Sequence, residues 1–154
     1  MPKQRVRKSK NQKSDEGLSV AKLIQTTRRF RYLDASSRDV RLYRPLRMKG
    51  ENGVRIEASA KSRISKQNRN PQVHRCSMEC INGYDRLTHK KARVKVSCDC
   101  EFFTYTCEVA LYRYGAADII FSNGEYPYST NPRGLPIMCK HLLSMAKAIQ
   151  KKGF

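Results

Sequence analysis

Two short pairs of metal-binding side chains, Cys98-Asp99-Cys100 and Cys139-Lys140-His141, constrain this chain more than any other feature. Zinc takes four soft or borderline ligands in a tetrahedron, with thiolate sulfur at about 2.3 Å and imidazole nitrogen at about 2.0–2.1 Å. The two pairs supply such a set, so they predict one structural Zn2+ held by Cys98, Cys100, Cys139 and His141. Cys98 and Cys100 project to one side where a strand ends in a turn. Cys139 and His141, only two apart, cannot share a regular helical face and must straddle a helix start, for which Pro136 just upstream is suited. Closing the site ties a strand end to the last helix and pins both ends of the segment between them. Metal-binding energy is then folding energy.

The redox setting agrees with that use of cysteine. Residues 1–12 are basic and polar and read as neither a secretory signal nor a membrane anchor, and no apolar run approaches the roughly eighteen residues of a spanning helix. The expected location is intracellular, cytoplasmic or within a virion, where thiols serve as ligands rather than as a disulfide framework. Of the other ligand-type residues, Cys107 lies on the apolar face of a helix and reads as a core residue, and it is the main rival ligand. Cys76 and Cys80 lie on the inward side of a strand with His74 and Met78. They read as buried, with a second metal site involving His74 or His89 as the alternative. His89 itself reads as a turn residue.

Periodicity places these motifs on elements. Val20, Leu23, Ile24, Thr27 and Phe30 recur at helical spacing after Ser19, a candidate N-cap. Alternation then takes over: Val54, Ile56, Ala58 and Ala60 oppose Arg55, Glu57, Ser59 and Lys61. His74, Cys76, Met78 and Cys80 repeat the pattern, and so do Val94, Val96, Cys98 and Cys100, which predicts an antiparallel meander. Asn82-Gly83 is a turn signal. Phe103, Cys107, Ala110, Leu111 and Tyr114 share a helical face that Gly115 ends, Ile119-Ile120-Phe121 reads as a short buried strand, and residues 122–136 form a long, turn-rich loop that must be functional or clamped. Leu142, Leu143, Ala146 and Ile149 give a last amphipathic helix. The expected fold is α+β: an antiparallel three- to four-stranded sheet with two or three helices, zinc-stabilised, plus a basic N-terminal arm. The expected divisions are the arm at 1–18, an Arg-rich helix and linker at 19–50, and a zinc-stabilised domain at 51–154 that folds without the rest.

Charge points to a partner. The 154 residues carry 32 Lys and Arg against 13 Asp and Glu, a net charge of +19. Residues 1–70 hold 20 basic and 6 acidic side chains, whereas all cysteines and histidines lie beyond them, so metal and charge read as separate jobs. Such self-repulsion calls for a polyanion or acidic protein. Candidate contacts are Arg5, Arg7, Lys8, Lys10 and Lys13 in the arm, then Arg28, Arg29, Arg31, Arg38, Arg41, Arg44 and Arg47, with Phe30, Tyr32 and Tyr43 interleaved. The guanidinium fork suits phosphate, and neighbouring aromatics can stack on bases.

The segment Cys98-x-Cys100 with Phe102 and Phe103, followed by Pro136-Ile-Met-Cys139-Lys-His141-Leu-Leu, resembles a SWIM-type zinc finger over about residues 98–148. That resemblance implies one zinc on Cys98, Cys100, Cys139 and His141 in a small strand, strand, helix unit that binds DNA or protein. The 38 residues between Cys100 and Cys139 exceed the family's usual spacer. The insertion and the strands before it are also similar to small proteins of tailed phages that carry this finger.

A closed four-ligand site leaves no position for water, Cys139 and His141 cannot be a nucleophilic pair while ligated, and the carboxylates between Glu79 and Glu125 are scattered. The expected protein is therefore no enzyme and takes no small-molecule substrate or membrane. It binds nucleic acid mainly through phosphates, or it is a structural component of a virus particle whose arm threads over acidic neighbouring subunits.

Overall fold

The computed structural model describes residues 17–154. The arm contacts Arg5, Arg7, Lys8, Lys10 and Lys13 lie outside the described residues. Its last expected residue, Leu18, is part of the fold, bridging Val94.

Ser19 caps the first helix, α1 (Val20–Arg28), by accepting a hydrogen bond from the Lys22 N–H at 3.1 Å. Val20, Leu23, Ile24 and Thr27 are its buried side. A second helix follows at once, α2 (Arg31–Ser37), and then a strand, β1 (Val40–Lys49). The expected alternating runs form β2 (Val54–Ser62), β3 (His74–Cys80) and β4 (Val94–Cys98). The four strands make one antiparallel sheet in the order β1-β2-β3-β4. Residues 103–113 are helical, π-wound over Phe103–Cys107 and α-helical in α3 (Glu108–Arg113). The last helix, α4 (Lys140–Lys152), lies across one sheet face, touching all four strands, with α1 and α2 packed on it. Gly153, at φ 75°, ends α4 in the left-handed conformation that costs a glycine least.

The α+β class and the meander are as expected, with the sheet at four strands and one more helix than the sequence reading. Three elements differ. The segment read as helix and linker contains α2 and β1. Strand β1 shows no alternation in the sequence because it is an edge strand with a fault in the middle. Arg44 has φ 50°, Pro45 follows, and the pairing with β2 shifts between Tyr43 and Leu46. A one-residue shift moves side chains to the other face. Leu42 pairs with inward Ala60, whereas Leu46 pairs with outward Glu57 and is 59% exposed. Ile119-Ile120-Phe121 is neither strand nor buried. Its backbone is spoken for by Glu108, whose Oε1 accepts the N–H groups of Ile120, Phe121 and Ser122 at 2.9, 2.9 and 2.8 Å. That carboxylate, fully buried in α3, clamps one end of the long loop. Buried Asn131 clamps the other, donating to the Thr106 and Leu135 carbonyls and accepting from the Leu135 N–H.

Helices α2 and α4 are joined by charge. Lys147 Nζ lies 2.5 Å from Asp34 Oδ1, and Arg28 and Arg38 reach the same carboxylate at 3.3 and 3.6 Å. The Lys147 hydrogen bond, aided by the charges of the lysine and both arginines and opposed by burial, holds the Asp34 carboxyl below its ordinary 3.8. A depressed carboxyl stabilises the fold above its unfolded value and loses that contribution as pH falls. Asp34→Asn is therefore expected to lower the melting temperature at pH 7, and the gap from the parent should close as the pH of the thermal scans falls below 3.8.

Because α1, α2 and β1 are built into the core, a chain starting at Gly50 would lose Leu23, Leu33 and Val40 from it and expose the edge of β2. That packing weighs against residues 51–154 folding alone. Deleting residues 1–49 should abolish cooperative thermal unfolding followed by circular dichroism, and a retained sharp transition would show that the β2–β4 unit is self-sufficient.

Candidate metal centre

The four expected ligands meet where the end of β4 touches the start of α4. Cys98 is the last residue of β4, and the chain turns after it so that Cys100 faces the same way. Cys139 is the N-cap of α4, extended at φ −71°, ψ 169°, and His141 lies in the first turn. This is the straddled helix start that a Cys-x-His pair requires. Buried Thr27 holds the approach to it: its hydroxyl donates to the Leu23 carbonyl at 2.7 Å and accepts the Met138 N–H at 2.9 Å. Thus α1 fixes the residue before Cys139.

The three Sγ atoms and one His141 ring nitrogen all lie within 4.8 Å of one another, and all four residues are buried. Tetrahedral coordination at the usual bond lengths sets donor–donor edges of about 3.5–3.8 Å, and Cys98 Sγ to His141 Nδ1 is 3.9 Å. Backbone N–H groups point at two of the sulfurs: Phe103 N donates to Cys100 Sγ at 3.4 Å and Leu142 N to Cys139 Sγ at 3.5 Å. Such bonds favour thiolate over thiol. Hydrogen bonds from Cys100, Cys139 and Cys76 push Cys98 far below the usual thiol range, while burial pushes Cys139 far above it. Protons held among four buried, converging donors are what a bound cation displaces. A divalent ion would take the remaining protons' place, and the donor set fits one.

His74, at the start of β3, stacks obliquely on His141 with ring centroids 4.6 Å apart, and its Nδ1 lies 2.9 Å from Asp99 Oδ1. Asp99 also accepts the Arg75 N–H at 3.2 Å, so the residue between the first two ligands braces β3 against the site. Cys107 is buried close by, its thiol pushed well up by burial, and stays out of the cluster. The alternative second site does not assemble among the described residues. Cys80 donates to Asn82 Oδ1 at 3.2 Å, His89 stacks on Tyr84 at 4.3 Å, and Cys76 lies with its Sγ 3.6 Å from that of Cys98. The sequence places His74 and Cys76 on the correct side of β3 but does not show the strand register that carries them to the cluster.

Arg28, Arg29, Arg31, Arg38, Arg41, Arg44 and Arg47 are all exposed, spread over the end of α1, α2, and β1. Arg47 donates to the Asp85 carbonyl at 2.6 Å, and Arg28 and Arg38 share Asp34. Charge and metal are segregated along the chain but not in space. Tyr32 of α2, 56% exposed, meets Phe30 and Phe102 edge-on at 6.3 and 6.5 Å. Tyr32 and Phe102 line a groove of about 580 Å3 with Asn68, Asn70 and Lys140 that reaches Cys100, Cys139 and His141. Among the described residues no helix is long and apolar enough to cross a membrane.

Comparison with protein-family models, characterised proteins and solved structures finds no match for the chain.

If the cluster is a structural metal site, Cys98→Ser and His141→Ala should each lose the metal and unfold at a markedly lower temperature, whereas Cys107→Ser should keep full metal. Elemental analysis beside thermal denaturation reads both. Full metal in Cys98→Ser, or its loss in Cys107→Ser, would refute the assignment.

Proposed function

We propose that this is a non-catalytic, zinc-stabilised protein that binds nucleic acid mainly through phosphates, with a SWIM-type centre holding the basic surface in place. The observation that carries this reading is the exposure of all seven arginines between Arg28 and Arg47, on a stretch, residues 28–49, with eight Lys and Arg against two Asp. Zinc is favoured by the Cys3His donor set and its N–H···S bonds, and a four-ligand closed site suits structure rather than water activation. The SWIM-type reading rests on the Cys-x-Cys and Cys-x-His pairs in the sequence, carried by a strand end and a helix start.

The chain's own residues divide the work. Asp34 and Lys147 dock α2 on α4, and α4 begins at the metal, so Arg29, Arg31 and Arg38 project from a body the centre makes rigid. Planar guanidinium groups at spaced positions bind a phosphate backbone without reading sequence. Tyr32, edge-packed rather than covered, offers a face on which an unpaired base can stack.

A second reading, a structural component of a virus particle in contact with acidic subunits, is favoured by one observation. Leu46, Ile120 and Phe121 are exposed apolar side chains lining one groove of about 510 Å3 on the open sheet face. The groove sets them among charged side chains, including Arg55, Arg75 and Lys95, a mixture that suits a protein contact with an acidic partner.

Titrating the full chain into labelled single-stranded and duplex DNA over a salt series discriminates the two. On the nucleic-acid reading, log K falls linearly with log salt with weak sequence dependence. Replacing Arg29, Arg31 and Arg38 with Gln should flatten the slope by about 2–3, close to one unit per phosphate contact removed. Absence of retention even at low salt would hand the function to the assembly reading.

A further inference from the structure

Of the cysteines that the four-donor cluster leaves out, Cys76 is the one whose sulfur meets that of Cys98. It stands directly opposite Cys98 across the β3–β4 ladder. The Asp99 N–H donates to the Arg75 carbonyl at 3.3 Å, so residues 75 and 99 are the hydrogen-bonded pair and Cys76 and Cys98 the neighbouring pair without ladder bonds. Such pairs bring facing Cα atoms to about 4.5 Å, inside the about 4.4–6.8 Å range that a disulfide spans. The two Sγ atoms are already 3.6 Å apart, so side-chain rotation alone can close an S–S bond. The groove lined by Tyr32, Asn68 and Lys140 brings small polar molecules to Cys100, Cys139 and His141, whose donor atoms lie within 4.8 Å of the Cys98 sulfur.

We propose that Cys76 is the resolving cysteine of a peroxide-sensitive metal site, in which oxidation joins Cys76 to Cys98 by a cross-strand disulfide and expels the metal. This rests on the metal reading of the four donors. The Cys98 thiolate attacks hydrogen peroxide, taking one oxygen as a sulfenic acid while the O–O bond breaks and hydroxide leaves. The Cys76 thiol then attacks the Cys98 sulfur, an S–S bond forms, the S–O bond breaks, and the oxygen leaves as water with the thiol proton. Two sulfurs have lost one electron each and the peroxide has gained two. With Cys98 consumed, three donors remain, and a Cys2His remnant holds zinc far less well than the full set. A dithiol reductant reverses the disulfide and restores the fourth ligand. The S–S bond does not disturb the sheet, since it links strands already paired, so the event opens the seam between β4 and α4 and spares the β3–β4 ladder.

The test uses the full chain, reduced and zinc-loaded, its zinc content measured first and then treated with hydrogen peroxide. A chromogenic chelator follows zinc release, and peptide mass mapping under non-reducing conditions locates the cross-link. The expected result is zinc release together with a Cys76–Cys98 linked peptide pair, and full zinc uptake after dithiol and zinc are added back. Cys76→Ser should hold zinc normally when reduced, but after peroxide its Cys98 should go on to the sulfinic acid and fail to regain zinc on reduction. Cys76→Ala repeats this should the serine variant fold poorly. A cross-link between other cysteines, zinc release without the Cys76–Cys98 link, or unchanged recovery in both variants would overturn the proposal. Loss of zinc from reduced Cys76→Ser and Cys76→Ala chains that remain folded would overturn it too, by making Cys76 a ligand. A parent chain that carries no zinc yet forms the link would sink the metal reading and the release step while leaving the disulfide site standing.

Discussion

Four donors from two segments that lie 38 residues apart in the chain have to reach one point, and most of the architecture can be derived from that requirement. It sets where β4 must end, where α4 must begin, and that the intervening chain must return to its starting place. The return is managed by buried polar groups rather than by a further layer of apolar residues. Glu108 gathers three consecutive N–H groups, and Asn131 ties its own turn to the Thr106 carbonyl. Satisfying backbone groups in this way is what lets a long segment without regular structure stay close to a core. Thr27 does the same for the approach to Cys139, so a helix near the start of the described chain positions a ligand near its end.

What could be read from the sequence was whatever announced itself by period or by donor chemistry. Strands β2, β3 and β4 alternate cleanly because α4 covers one of their faces, and α4 itself shows an apolar stripe for the same reason. Strand β1 carries no such signal. It lies at the sheet edge, is interrupted at Arg44-Pro45, and has five consecutive exposed residues. Those features make an edge poor at pairing with other chains, and they also make it look like linker. Helix α2 has only seven residues and two buried positions, too few for a period to show. Ile119-Ile120-Phe121 misled in the opposite direction, since its apolar character serves an exposed rim while a carboxylate holds its backbone.

Register was the other hidden quantity. The sequence places Cys76 on the inward side of one strand and Cys98 on that of another. Only the pairing of β3 with β4 brings them face to face, and only the Asp99 N–H bond to the Arg75 carbonyl makes them the close type of pair. The same register carries His74 to His141 and lets Asp99 serve both strands. Side chains that read separately as core residues therefore form a continuous sulfur and imidazole environment around the four donors.

The segregation of charge from metal along the chain suggested two independent modules, and their contact in space changes what each can do to the other. Eight basic side chains between Arg28 and Lys49 repel one another, and Asp34 offsets that repulsion where α2 meets α4. The repulsion favours states in which the helices separate, and a metal ion held between the end of β4 and the start of α4 would oppose it. If zinc is the occupant and nucleic acid the partner, the metal would act on affinity indirectly, by keeping the arginines on a fixed surface. Loss of metal would then weaken binding through disorder of that surface, while added salt would weaken binding by screening and at the same time relieve the repulsion within the protein. The two perturbations move affinity in one direction and fold stability in opposite directions, which separates a metal that supports a basic surface from one that forms part of it.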